Sequence, residues 1–412
     1  MKNGLRDVMK IRVNDLAIFG GQPAFVDALH VGRPNIGNRS KFEERVSDIL
    51  DRKWLTNNGN YVREFEQSVA KIVGVKHCIA MCNATVALEI AIRALELTGE
   101  VIIPSYTFIA TAHALQWQGI TPVFCDIDPL TFNLDPHEIE QIITPRTTGI
   151  IGVHVYGRSC DVDALGEIAD RYEIKLLFDS AHAFGCSHNG RMIGGFGNAE
   201  VFSFHATKFL NSFEGGAVTT NSDELADKIR LMKNFGFTGY DRTKYIGING
   251  KMNELSAAMG LTNLESMDEF IAANYRNYKR YEECLTNIGG ISLVRYNETE
   301  KCNYQYIVLE IDEHMTIIDR DQLVEILHAE NVLARRYFYP GCHQMEPYSS
   351  LFPDAGLHLP ETEKLVGRVL CLPTGTVMQP VDVERVCELI RFIVAHGDEI
   401  SRRISQFGTA TS

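Results

Sequence analysis

Lys208 lies in VFSFHATKFLNSFEGGAV, a lysine among phenylalanines and small residues, and Asp179 closes the apolar run LLFD in LLFDSAHAFG. A lysine is ordinarily a solvated surface residue. Here Phe202, Phe204 and Phe209 make the surroundings apolar, and burial disfavours the ammonium, which leaves a more nucleophilic amine. An acid at the end of a buried strand, followed by a lysine in an apolar loop, is the pair that pyridoxal phosphate chemistry asks for. The amine can form a Schiff base with the cofactor's aldehyde, and the carboxylate can keep the pyridine nitrogen protonated so that the ring accepts electrons.

Two further junctions supply complementary groups. In MCNATVALEI, the small residues Asn83, Ala84 and Thr85 stand where a strand passes into a helix. The free amides that open such a helix can bind phosphate, aided by the helix dipole. Phe108, in PSYTFIATA, occupies another strand-to-helix turn, where an aromatic face could stack on a heteroaromatic ring. Taken alone, the first junction also reads as an ordinary N-cap and Phe108 as a core residue. Tyr337, Tyr339, His343 and Tyr348 lie in NVLARRYFYPGCHQMEPY, a segment that suits a sugar or a thymine ring and reads equally well as an aromatic loop packed on the core.

Positioning these residues requires a repeating scaffold. YVREFEQSVAKIV carries Val62, Phe65, Val69 and Ile72 at helical spacing, and HCIAMC reads as a buried strand. The alternation continues through ATVALEIAIRALEL, EVIIP, TFIATAHALQW, TPVFCDI, DPHEIEQII, TTGIIGVHV, VDALGEIADRY and IKLLFD. Repeated βα units with uniformly apolar strands predict an α/β fold with a mostly parallel sheet covered on both faces. Asp179 then falls at the carboxyl end of a strand, where open α/β sheets place their ligands.

After Asp179, glycines at 185, 190, 194, 195 and 197 punctuate a turn-rich stretch before two more strands, VFSFH and GGAVTT. SDELADKIRLMKNFG reads as a helix capped by Ser222, and Met252 to about Leu285 as one long proline-free helix. Strands in CNYQYIVLEI and NVLARRYF follow, with helices near 319–329, 361–369 and 381–395. The expected organisation is an N-terminal arm at 1–35, a large α/β domain at 36–265, and a bridging helix with a smaller α+β domain at 266–412.

The composition is that of an ordinary globular chain: of 412 residues, 45% are hydrophobic and 23% charged. A net charge of −13 without clustered Lys and Arg excludes a nucleic-acid binder, which needs cations to displace counterions from the phosphate backbone. The ten cysteines form no C-x-x-C pair or zinc spacing, which predicts reduced thiols and no metal site. No apolar run reaches the ~18 residues of a membrane span, and MKNGLRDVMKIRVNDLAIFGG lacks a signal-peptide core. A cytoplasmic protein is expected.

With these residues in hand, the chain resembles the DegT/DnrJ/EryC1/StrS family of sugar aminotransferases, of the aspartate aminotransferase-like fold type I, from roughly residue 35 to 394. LLFDSAHAFG, GNAEVFSFHATKFLNSFEGGAV and INGKMNELSAAMG, in this order, carry the resemblance. It implies pyridoxal 5′-phosphate on Lys208, Asp179 at the pyridine nitrogen, Phe108 on the ring, and Ala84, Thr85 and Ser203 at the phosphate. It further implies that Asn249 reaches the phosphate across a homodimer interface. Within the family, the segments around Lys208 and Tyr337 look most like enzymes that aminate dTDP-4-dehydro-6-deoxy-D-glucose at its 4-position, with L-glutamate as donor in a ping-pong reaction. Amination of a 3-keto sugar and a non-enzymatic cofactor-binding regulator are the alternatives.

Three departures stand out. The family's S-G-T turn is N-A-T here, so Ala84 must adopt whatever geometry glycine usually supplies, and a phosphate contact by Asn83 is in question. His182 replaces a common glutamine near the cofactor's phenolic oxygen, and Lys251 replaces a frequent arginine. Relatives with histidine at the lysine position perform dehydration instead; here the lysine is present.

Overall fold

The computed structural model describes residues 10–408; of the predicted N-terminal arm, residues 1–9 lie outside that span. The predicted βα alternation builds one seven-stranded sheet. Its strands are β1 (His77–Met81), β2 (Glu100–Pro104), β3 (Thr121–Cys125), β4 (Thr147–Val153), β5 (Lys175–Asp179), β6 (Ala199–Ser203) and β7 (Gly216–Thr220). They are ordered β1-β7-β6-β5-β4-β2-β3. The pairs from β6 to β3 are parallel, and β7 runs antiparallel to both of its neighbours. β2, β6 and β7 are buried along their whole length, as strands covered on both faces must be.

Each face has its own core. Val62, Phe65 and Val69 of helix Asn60–Val73 pack with Phe178, Phe202 and Phe204 on one side. Leu88, Ile90 and Ile92 of helix Ala84–Ala94 pack with Ile79, Ile103 and Val201 on the other. Gly216 lets β7 start directly against the first turn of that second helix: a Cβ there would lie 2.5 Å from Asn83 C and 2.6 Å from Ala84 N. Contacts that close displace backbone, so glycine at 216 fixes where the helix begins.

The C-terminal third adds a three-stranded antiparallel sheet, β8 (Ile291–Leu293), β9 (Ile307–Ile311) and β10 (Val369–Leu372), with β9 in the middle. Helices Met267–Leu285, Arg320–Ala329 and Pro380–Ala395 pack around it.

Three expected elements differ. The single helix over 252–285 is two, Glu254–Leu264 and Met267–Leu285. Asn263 is buried, donating to Asn211 O and accepting from Gly37 N–H, and Ser266 N–H turns back to Asn263 O. Neither proline nor glycine marks the break, so periodicity ran through it. In NVLARRYF only Val332–Leu333 forms a strand, paired with Leu29–His30. Beyond it the Tyr337 carbonyl accepts from the hydroxyls of Tyr106 and Tyr156 instead of from a neighbouring strand. The helix expected over 361–369 is Pro360–Val366, because Gly367 ends it and Val369 already belongs to β10.

Candidate active site

The carboxyl ends of the central strands open on a cavity of about 390 Å³. Asp179 ends β5, Ser203 ends β6, and the turns after β1 and β2 bring Asn83 to Thr85 and Phe108 to the same space. Lys208 enters from the loop after β6, its amide donating to His205 O. Phe202, Phe204 and Phe209 are buried around this loop, as its sequence demands.

Asp179 is buried and held by two donors, Thr111 Oγ1 to Oδ2 at 2.8 Å and Ala181 N–H to Oδ1 at 3.1 Å. Desolvation nonetheless raises its pKa above the ordinary carboxylate value. A positive partner at that carboxylate would therefore be strongly favoured. Desolvation lowers the Lys208 amine to about 8, with the Asp179 charge opposing the shift. Such an amine is available as a base near neutral pH and still able to carry a proton.

His182 is buried, its ring stacked on Phe338 at 5.5 Å between centroids. Burial and the nearby Lys208 push its pKa well down, so the ring is neutral. Tyr156 N–H donates to Nδ1, which places the ring proton on Nε2 and makes that nitrogen a donor. At the opposite wall, helix Ala84–Ala94 begins with Asn83 as N-cap, its Oδ1 accepting from Val86 N–H at 2.8 Å. The amides of Ala84 and Thr85 have no carbonyl behind them in the helix and border the cavity. Ala84 has ordinary helical backbone, so alanine meets no strain at this turn. The Asn83 side chain is occupied as the cap.

Phe108 is 56% exposed and borders the cavity, so it is not the core residue its sequence also allowed. A second, larger cavity of about 650 Å³ shares Thr107, Phe108, Arg335, Tyr337 and Phe338 with the first and is also bordered by Tyr339. His343 and Tyr348 reach neither. His343 is 4% exposed between Ser105 Oγ and Glu363 Oε1, each 2.6 Å away, and Tyr348 is fully buried with its hydroxyl on His113 Nδ1. In this chain both serve the packing of the segment, the second of the two readings that its sequence allowed. Asn249 is exposed on the loop before helix Glu254–Leu264, outside the cavity of its own chain, its Oδ1 accepting from Lys251 Nζ.

Several residues at the site escaped sequence reasoning, Thr111, Tyr306, Arg335 and Phe338 among them. Thr111, Arg335 and Phe338 carry no local signal, and Tyr306, whose hydroxyl lies 3.5 Å from Lys208 Nζ, reads as one more tyrosine before a strand.

The geometry agrees with what comparison with known proteins finds. The chain is 37% identical to a dTDP-4-amino-4,6-dideoxy-D-glucose transaminase of Shigella dysenteriae, over 89% of this chain and 99% of the relative. It is 36% identical to a GDP-perosamine synthase of Caulobacter vibrioides, over 87% and 96%. Its fold superimposes on the crystal structure of DesI in the presence of its TDP-sugar product with a TM-score of 0.91 and 48% identity, covering 96% of this chain and all of that one. The model of the DegT/DnrJ/EryC1/StrS aminotransferase family matches residues 37–391, and the chain belongs to that family.

Proposed function

We propose that the protein is a pyridoxal phosphate-dependent nucleotide-sugar aminotransferase that converts dTDP-4-dehydro-6-deoxy-D-glucose to dTDP-4-amino-4,6-dideoxy-D-glucose, with L-glutamate as amino donor. The observation that carries this reading is the convergence on one cavity of a low-pKa lysine, a buried carboxylate and the open amides of a helix N-terminus. These groups fit the cofactor. Ala84 and Thr85 amides with the Ser203 hydroxyl suit its phosphate, Asp179 its protonated ring nitrogen, Phe108 its ring face, and the His182 Nε2–H its phenolic oxygen. When bound, the cofactor supplies an aldehyde for an amine and a ring that withdraws electrons.

The chain's own residues do the rest. Asp179, desolvated and fixed by Thr111, would hold a positive ring nitrogen in place. With the cofactor held there, the freed Lys208 amine would carry a proton from the donor's α-carbon to the cofactor in the first half of a ping-pong cycle, and from the cofactor to the sugar carbon in the second. Tyr337 and Tyr339 border the space in which a nucleotide sugar would extend beyond Lys208. The relatives named for TDP and dTDP sugars support the base, while the GDP-perosamine synthase makes GDP sugars the control.

The test is incubation of the purified, cofactor-loaded enzyme with L-glutamate and, separately, 4-keto dTDP, 3-keto dTDP and 4-keto GDP sugars, with the product's mass and amino position determined. The 4-amino dTDP sugar is expected. Turnover of the 3-keto or GDP substrate alone would reject the assignment.

We also propose a homodimer with shared active sites. The loop that carries Asn249 presents Phe235, Phe237, Tyr240, Ile246 and Ile248 to solvent, an apolar surface suited to a second copy. Light scattering is expected to give twice the 46.2 kDa chain mass. A fully active monomer would remove Asn249 from the cofactor site.

A further inference from the structure

Tyr306 is 5% exposed and borders the cavity, and its hydroxyl has one partner among the described residues, Lys208 Nζ at 3.5 Å. Its ring is fixed by His182 at 4.9 Å and Tyr156 at 5.3 Å between centroids. Its backbone carbonyl accepts from the Tyr296 hydroxyl at 2.8 Å, just before β9 begins. The lysine loop is tied to the same segment, since Phe209 N–H donates to Gln305 Oε1 at 3.3 Å. Residues 98 positions apart are thus held in register at the reacting nitrogen.

We propose that Tyr306 is a further catalytic residue, whose hydroxyl holds the free Lys208 amine in line for proton transfer. The inference rests on the reading of Lys208 given above. A hydroxyl is suited to this because it both accepts and donates. It accepts from the amine when the lysine is charged and donates to the nitrogen lone pair when it is neutral, so the side chain keeps its place through both states. A carboxylate there would bind the ammonium tightly and oppose its loss of a proton. Tyr306 cannot become such an anion near neutral pH, since burial pushes its pKa well above the ordinary phenol value. The other titratable groups facing this cavity are Asp179, His182, His205, Glu214, Arg335 and Tyr337.

The test uses Tyr306→Phe, which keeps the ring and its packing, and Tyr296→Phe as a structural control that loosens the same segment. Two quantities are measured in the full chain. The first, before cofactor is added, is the pH dependence of Lys208 modification by trinitrobenzenesulfonate, followed by peptide mass spectrometry. Tyr306→Phe lowers the apparent pKa, because the charged amine loses its stronger hydrogen bond, while Tyr296→Phe leaves it at the parent value.

The second, in the loaded enzyme, is the single-turnover rate with L-glutamate. It falls about 10-fold in Tyr306→Phe, the scale of one neutral hydrogen bond, at unchanged half-saturating glutamate. A Tyr306→Phe protein that melts like the parent and shows neither change overturns the proposal. So does a Tyr296→Phe protein that shows both changes, since the effect would then be structural. Null results at Tyr306 leave the aminotransferase reading intact, whereas full turnover by a Lys208→Ala variant would remove that reading itself.

Discussion

Lys208→Ala is expected to lose turnover by more than ~10³-fold, because in the proposed mechanism one side chain supplies both the attachment point and the mobile proton. The loaded variant shows no visible absorbance of attached cofactor and no bleaching on addition of L-glutamate. Retention of both half-reactions would sink the assignment. The same lysine has a measurable cost in the cofactor-free protein. Burial lowers its pKa from 10.5 to about 8, so the unfolded chain holds the extra proton between those values. Stability of the cofactor-free protein therefore rises with pH across that window, and below pH 8 the whole cost is present. Lys208→Met, of similar length, is expected to melt above the parent at pH 7, with the difference closing as pH approaches 10.5. A variant that melts lower at pH 7 would contradict the desolvation argument.

Asp179→Asn carries the second large effect. The amide keeps the shape and an oxygen for Thr111 but no charge, so a ring nitrogen at that place loses what keeps it protonated. Turnover is expected to fall about 10²–10³-fold, the range seen when one fixed electrostatic partner of a reacting group is removed. Single-turnover kinetics with L-glutamate check this, and near-parental rates would exclude Asp179 from the role. Stability moves the other way. Desolvation raises the folded pKa of Asp179 above the unfolded 3.8, so its contribution is favourable only below the unfolded pKa and is lost as pH rises through the folded one. At pH 7 the buried carboxylate is a net cost to the cofactor-free protein. Asp179→Asn is then expected to melt above the parent without cofactor and to gain less on cofactor addition, with the first difference disappearing in acid. Strain of this kind at a site is common where activity and stability compete.

Both variants concern residues that were legible in the sequence. Asp179 could be placed because LLFD is a local apolar run with one charge at its end, and an all-apolar strand has one environment available to it. Lys208 could be placed because its phenylalanine neighbours mark an apolar loop, which the fold packs into the core beside the cavity. Ala84 and Thr85 followed from the switch between a strand and a helical period. The long helix over 252–285 was misread for the same reason that these were read well: periodicity reports which face is apolar, and both halves of the broken helix keep apolar faces.

The residues that tune the site were not legible. Thr111 reaches Asp179 across 68 positions and Tyr306 reaches Lys208 across 98. Neither pairing leaves a spacing that local pattern can detect. The segment around Tyr337 shows the limit most clearly. Its sequence offers five aromatic or imidazole groups, and the fold sends Tyr337, Phe338 and Tyr339 to the cavities while burying His343 against Ser105 and Glu363 and Tyr348 against His113.

The sequence by itself determined the βα scaffold and placed the lysine, the acid and the helix N-terminus that border the cavity, because burial and backbone capping act over a few neighbouring residues. Only the tertiary structure decided which hydroxyl meets the lysine, which threonine steadies the acid and which aromatic rings border the cavities. Those contacts depend on strand order, and on how the C-terminal third closes over the carboxyl ends of the sheet.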